Sequence, residues 1–210
     1  MIDYVRDPEE IYRLSFAAIR KEADLSGLPE GVRPLATRLM HASGMTDLAK
    51  DLRFDERIAG AVRRALDQEC AILVDSEMVK AGIIARFLPA GVKIICTLNH
   101  PDTQTLAAQE GTTRSAAAVS LWAPYLANAV VVIGNAPTAL FGLLEMLGRD
   151  AAVRPAAIIA IPVGFVGAVE SKAALAENPR GIPFVTVLGR RGGSAMAAAA
   201  FNALTAKQDE

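Results

Sequence analysis

The chain has 210 residues, 52% hydrophobic but only 5% aromatic, so its apolar mass is aliphatic and large enough for a substantial core. That excludes a disordered chain and suits one large domain over residues 1–210. Lys and Arg (22) balance Asp and Glu (23) to a formal charge of −1, which excludes a dedicated nucleic-acid binder, whose affinity rests on neutralising many phosphates.

The first residues, Met1-Ile2-Asp3-Tyr4-Val5-Arg6, are polar and lack the apolar run of a secretory signal, so a cytoplasmic protein is expected. Residues 1–70 read as helical. Asp7-Pro8-Glu9-Glu10 is a helix start, with Asp as N-cap, Pro at the first helical position and Glu at the third. Ile11, Leu14, Ala18 and Ile19 recur at helical spacing, and Ser15 falls on the same face, so its hydroxyl is expected to point inward. A second helix runs from about Pro34 to Ala42 and stops near Gly44, with Leu35, Leu39 and Ala42 as its buried stripe. Arg38 and His41 sit side by side on its flank, three residues apart. His41 lies in the last turn, where the helix dipole favours the imidazolium, a form suited to general acid chemistry toward an anionic ligand, although the charge of Arg38 opposes it. A lone helix-end histidine is also a common cap or surface residue, and spacing alone leaves both readings open. Ile58, Val62, Ala65 and Leu66 mark a further amphipathic helix.

From Cys70 onward, short β-branched runs alternate with helical segments, the pattern of βα units. The strand candidates are Ala71–Val74, Lys93–Leu98, Val130–Ile133, Ile158–Ile161 and Phe184–Leu188. The expected fold is α/β: an open, mainly parallel five-stranded sheet with helices on both faces and a helical N-terminal portion. Ser115–Leu144 is about thirty residues without a charge, longer than the roughly 20 that span a bilayer. Pro124, Asn128, Gly134, Asn135, Pro137 and Thr138 punctuate it into helix, strand, loop and helix, breaks that a lipid core would not tolerate, so no membrane span is expected. Cys70 and Cys96 read as buried thiols of a reducing compartment, and neither they nor His41 and His100 have zinc-ligand spacing.

Ligands of open parallel sheets bind beyond the carboxyl ends of the strands. The loops expected there include Gly134-Asn135-Ala136-Pro137-Thr138 and Gly189-Arg190-Arg191-Gly192-Gly193-Ser194, which leads into a helix and can cradle a carboxylate or phosphate. Arg114 and Lys172 also lie near helix starts, where a cation opposes the dipole and a bound anion would relieve it. No Walker A string and no GxGxxG follow the first strand of the βα region, so nucleotide binding lacks its mechanical parts. His100 is a weaker candidate than His41.

The strings Met40-His41-Ala42-Ser43-Gly44, Asp75-Ser76-Glu77-Met78-Val79, Thr113-Arg114-Ser115-Ala116-Ala117, Gly134-Asn135-Ala136-Pro137-Thr138-Ala139-Leu140, Pro162-Val163-Gly164-Phe165-Val166-Gly167 and Gly189-Arg190-Arg191-Gly192-Gly193-Ser194 resemble the precorrin-8X methylmutase family of cobalamin (porphyrin-type) biosynthesis, in order from about Tyr4 to Leu204. The resemblance implies an isomerase that moves one methyl group of a polycarboxylate tetrapyrrole from C-11 to C-12, giving hydrogenobyrinic acid. It implies His41 as the catalytic acid toward ring C, and Ser15 and Arg38 as substrate contacts. Arg114, Asn135, Lys172, Arg190 and Ser194 are the strand-end candidates for the substrate's carboxylates. The family is expected to act as a homodimer with sites at the subunit interface and to need neither metal nor organic cofactor. Met45, where an acidic residue is expected, and Asn99-His100, where a charged pair is expected, depart from the pattern and bear on metal-free against cobalt-containing substrate. A non-catalytic tetrapyrrole carrier and a generic anion-binding α/β enzyme are the competing readings.

Overall fold

The computed structural model describes residues 2–149 and 152–206, so Met1, residues 150–151 and 207–210 of the single-domain reading lie outside the described residues. The N-terminal portion forms α1 (Pro8–Glu22), α2 (Arg33–Ser43), β1 (Leu52–Phe54) and α3 (Ile58–Asp67). Strands and helices then alternate: β2 (Ile72–Val74), α4 (Glu77–Gly82), β3 (Ile94–Cys96), α5 (Pro101–Glu110), α6 (Arg114–Ser120), β4 (Val130–Ile133), α7 (Pro137–Arg149), β5 (Ala157–Ala160), α8 (Ala168–Glu177), β6 (Phe184–Val187) and α9 (Ser194–Thr205).

The helix ends follow local chemistry. Asp7 accepts the Glu9 N–H at 3.1 Å and starts α1 behind Pro8. Gly44 stops α2 in the left-handed region (φ 69°), where it donates its N–H to the Met40 carbonyl at 2.8 Å. His100 caps α5, its ring accepting the Asp102 N–H at 3.3 Å, so this second histidine has a structural post.

The sheet order is β1-β6-β5-β4-β2-β3, with β2 to β6 mutually parallel and β1 antiparallel to β6, Leu52 opposite Val187. The sheet therefore has six strands, one more than the sequence reading, and residues 1–70 are not helical throughout. Leu52-Arg53-Phe54 is a single three-residue alternation with a charge at its centre. Only the long-range pairing with β6, which buries Leu52 and leaves Arg53 outside, makes it a strand.

Alternate residues of the inner strands enter two separate cores. Ile72, Val74, Val130, Val132, Ile159 and Val185 pack with Leu39, Met40, Val62 and Phe201 of α2, α3 and α9 on one face. Leu73, Val131, Ile133 and Ile158 pack with Val119, Trp122, Leu140 and Leu143 on the other, under α6 and α7. Burial on both faces is why these strands read as continuous apolar runs. The charge-free stretch is α6, a turn, β4 and the start of α7, and among the described residues no helix is long and apolar enough to cross a membrane.

Two helix faces differ from expectation. On α1 only Ile19 is buried, while Ile11 (48%) and Leu14 (42%) are exposed and Ala18 lies at the surface; the inward face is Ser15, Phe16 and Ile19. On α2, Leu35 and Leu39 are buried with Ala36 and Met40, and Ala42 is exposed.

Candidate active site

Helices α1 and α2 cross so that residues 26 positions apart in the chain meet. Ser15 Oγ hydrogen-bonds His41 Nδ1 at 2.9 Å. One turn earlier on α1, the Tyr12 hydroxyl accepts a hydrogen bond from Arg38 Nη1. Phe16 stacks on the imidazole (centroids 5.0 Å apart, planes at 12°), and Tyr12 lies tilted beside it at 5.5 Å. The Arg38 guanidinium sits over both aromatic rings, 5.4 Å from Tyr12 and 5.2 Å from Phe16. The sequence-derived trio Ser15, Arg38 and His41 is thus a single constellation.

Of these groups Tyr12, Arg38 and His41 border a cavity of about 480 Å³, whose lining also includes Arg86, Phe87 and Asn202. That volume lies in the range of about 300–1,000 Å³ usual for small-molecule sites. With Nδ1 engaged by Ser15, Nε2 is the ring nitrogen available to a ligand. If the serine hydroxyl donates, the neutral ring carries its proton on Nε2, which makes that atom a hydrogen-bond donor and, once protonated at both nitrogens, an acid. Tyr12 and Phe16 were missed from sequence. The signal was the spacing Tyr12, Ser15, Phe16, Ile19 at i, i+3, i+4 and i+7, a helical stripe rotated from the one marked by Ile11, Leu14 and Ala18.

The strand-end candidates form a second group, none of which lines the His41 cavity. Arg114, exposed at the start of α6, donates to the Leu98 carbonyl (3.2 Å) and to Asn99 Oδ1 (3.0 Å), so Asn99 partners a cation without being charged. The Arg190 guanidinium lies 5.2 Å from the ring of Phe165, itself 83% exposed. The Asn135 side chain faces solvent while its main-chain N–H is bound internally.

That internal partner is Asp75, at the end of β2 and only 3% exposed. Its carboxylate accepts three consecutive main-chain N–H groups, Gly134 (2.9 Å), Asn135 (2.8 Å) and Ala136 (2.7 Å). Burial raises the Asp75 carboxyl above the usual range, a shift that the three donors offset only in part. This point, between β2 and β4, is where the sheet order reverses and where an open parallel sheet would receive a ligand. Here it is filled by the chain's own anion. Gly134 is required beside it, because a Cβ there would lie 2.8 Å from both Ala197 Cβ and Ser194 Cα.

Two further expected substrate contacts, Lys172 and Ser194, are buried and bonded internally in this structure. Lys172 is fully buried inside α8 and donates from Nζ to the Arg191 carbonyl at 2.6 Å; burial lowers its pKa to about 8. Ser194, 6% exposed, lies 3.3 Å from Ser76 Oγ. Their polar atoms point into the protein because α8 and α9 are packed on the sheet by these very turns. Arg191 also serves the fold, pairing with Asp47 (2.7 Å) and Asp51 and approaching Met45 Sδ at 3.7 Å, so Met45 sits beside a guanidinium that already holds two carboxylates. Both cysteines are free; burial raises Cys70, and pushes Cys96 up to about 11, so neither is a ready thiolate.

A precorrin-8X methylmutase family model matches residues 10–207. The chain belongs to the precorrin-8X methylmutase family. The precorrin-8X methylmutase of Pseudomonas aeruginosa is 54% identical over 209 residues, the whole of both chains. A cobalt-precorrin-8 methylmutase of Methanocaldococcus jannaschii is 37% identical over 169 residues, 80% of this chain and 76% of the other. The solved precorrin-8X methylmutase of Thermus thermophilus superposes with a TM-score of 0.82 at 34% identity, covering 94% of each chain. The chain is accordingly an isomerase of the α/β class, and its reaction is the family's methyl migration on a precorrin tetrapyrrole.

Proposed function

We propose that the chain acts on metal-free precorrin-8X, moving the C-11 methyl to C-12 to give hydrogenobyrinic acid, with His41 Nε2 as general acid toward the ring C nitrogen. The observation that carries this is the Ser15–His41 bond, which engages Nδ1 and turns the other nitrogen over to the ligand. Proton donation to a pyrrole nitrogen draws electron density from the conjugated system; the bond from the methyl to C-11 breaks as the bond to C-12 forms, and the proton returns to His41 afterwards. No external nucleophile or redox step enters this balance. Arg38, held over Tyr12 and Phe16, is placed to meet a peripheral carboxylate. The metal-free substrate is favoured by the 54% identity to the precorrin-8X relative against 37% to the cobalt-precorrin-8 one. Incubating the purified protein with each substrate and following the visible spectrum tests this. Conversion of precorrin-8X is expected; conversion of the cobalt form alone would reassign the substrate, and tight binding without turnover would mark a carrier.

We also propose a cytoplasmic homodimer whose sites lie at the subunit interface. The support is the outward apolar face of α1, Ile11 and Leu14, continued by Ile2 (83% exposed), Tyr4 (63%) and Val5 (44%). A cavity of about 480 Å³ also wraps only part of a tetrapyrrole, so a second surface is needed to cover the rest. Arg114, Asn135 and Arg190 of one protomer would complete the His41 site of its partner. Replacing both Ile11 and Leu14 by Glu is expected to halve the mass in sedimentation analysis and abolish turnover while leaving the far-ultraviolet circular dichroism intact; a variant that remains dimeric would remove α1 from the interface.

A further inference from the structure

We infer that Arg86 is a second carboxylate-binding residue of the His41 cavity, held in place by Asn202; this rests on the tetrapyrrole reading above. Arg86 lies in the short turn Ala85–Phe87 between α4 and β3, far in sequence from α1 and α2, yet it borders the same cavity as Arg38 and His41. The residues lining that cavity are two arginines, a histidine, and otherwise apolar or neutral side chains, with no carboxylate among them. Among the described residues, the ion pairs take up Arg13, Lys50, Arg57, His100, Arg149 and Arg191 and leave Arg86 without an acidic partner. Its guanidinium instead stacks 5.1 Å from the ring of Phe87, which also borders the cavity. A cation beside an aromatic wall, in a cavity that a second such pair, Arg38 with Tyr12, also lines, suits a flat apolar ring system edged by carboxylates.

An exposed arginine on a loose turn would carry no such meaning. This turn is fastened. The Ile84 N–H donates to Asn202 Oδ1 at 3.0 Å, and Asn202 Nδ2 donates to the Gly82 carbonyl at 2.9 Å. One carboxamide on α9 thus pins the chain on both sides of Ile83, a buried residue. Arg86 is therefore presented from a fixed backbone, and Asn202 acts as a positioning residue.

The test uses the full chain and two probes, hydrogenobyrinic acid and its fully amidated form, with binding followed by absorbance titration. Arg86→Gln is expected to weaken binding of the free acid about tenfold and to leave the amidated form within about twofold, whereas Arg86→Lys recovers part of the loss. Asn202→Ala is expected to weaken binding of the acid as well, and to add little in the Arg86→Gln background. Equal affinity of Arg86→Gln and wild type for the acid, or equal loss for both probes, would overturn the assignment. Failure of the wild type to bind either probe would instead overturn the tetrapyrrole reading itself.

Discussion

His41→Ala is expected to bind the tetrapyrrole close to normally and to fail in converting it, with kcat lower by about 10² to 10⁴, the usual worth of a positioned acid. That loss corresponds to roughly 2.7–5.5 kcal/mol of transition-state stabilisation. Binding should survive because the cavity keeps Arg38 and Tyr12, which hold each other through their hydrogen bond, with Phe16 against the guanidinium. A rise in KM with kcat unchanged would place His41 among uniform binding groups instead, and full activity would remove it from the mechanism. Single-turnover spectra of the variant decide between these outcomes, since substrate and product differ in conjugation. The companion change Ser15→Ala should act through His41: it frees the tautomer without removing the imidazole, and its cost in kcat should vanish in the His41→Ala background.

The largest effect on stability is expected at Asp75. Asp75→Ala leaves three main-chain N–H groups at the end of β4 without their acceptor, two of them, on Gly134 and Ala136, in buried residues. At about 1–3 kcal/mol for each of the two buried donors, with water able to reach Asn135, a loss of roughly 2–6 kcal/mol follows. For a chain of this size that lowers Tm by about 4–24 °C, measurable by calorimetry. Asp75→Asn should lose less, because a carboxamide oxygen still accepts while its NH₂ meets a donor. Formate added to the Ala variant should restore part of the loss by occupying the vacated acceptor position. Unchanged Tm in both variants would mean that the loop is held by packing, through Gly134 against Ala197 and Val79.

The sequence carried the parts of this molecule that depend on local spacing. Helical periodicity placed Arg38 beside His41 and brought Ser15 inward, and the apolar runs marked every parallel strand. What it did not carry depends on long-range contact or on direction. β1 exists only because Leu52 finds Val187, 135 positions away by numbering. The charge on Lys172 near a helix start suggested a contact for an anion, whereas the helix turns it inward to a carbonyl nineteen positions on. Asp75 entered only as part of the family string Asp75-Ser76-Glu77-Met78-Val79; its three partners lie 59 to 61 positions further along the chain. Arg86 and Asn202 stand in no motif at all, and their shared cavity appears only when α9 and the α4–β3 turn are folded against α2.

The Asp75 closure has a consequence for inhibitor design. Phosphate and nucleotide mimics gain much of their hold on α/β enzymes from bare main-chain N–H groups at the point where a sheet reverses its strand order. In this chain those hydrogens are already spoken for, so such compounds find no purchase between β2 and β4. Selective molecules should be shaped instead for the aromatic and guanidinium surface between the first two helices.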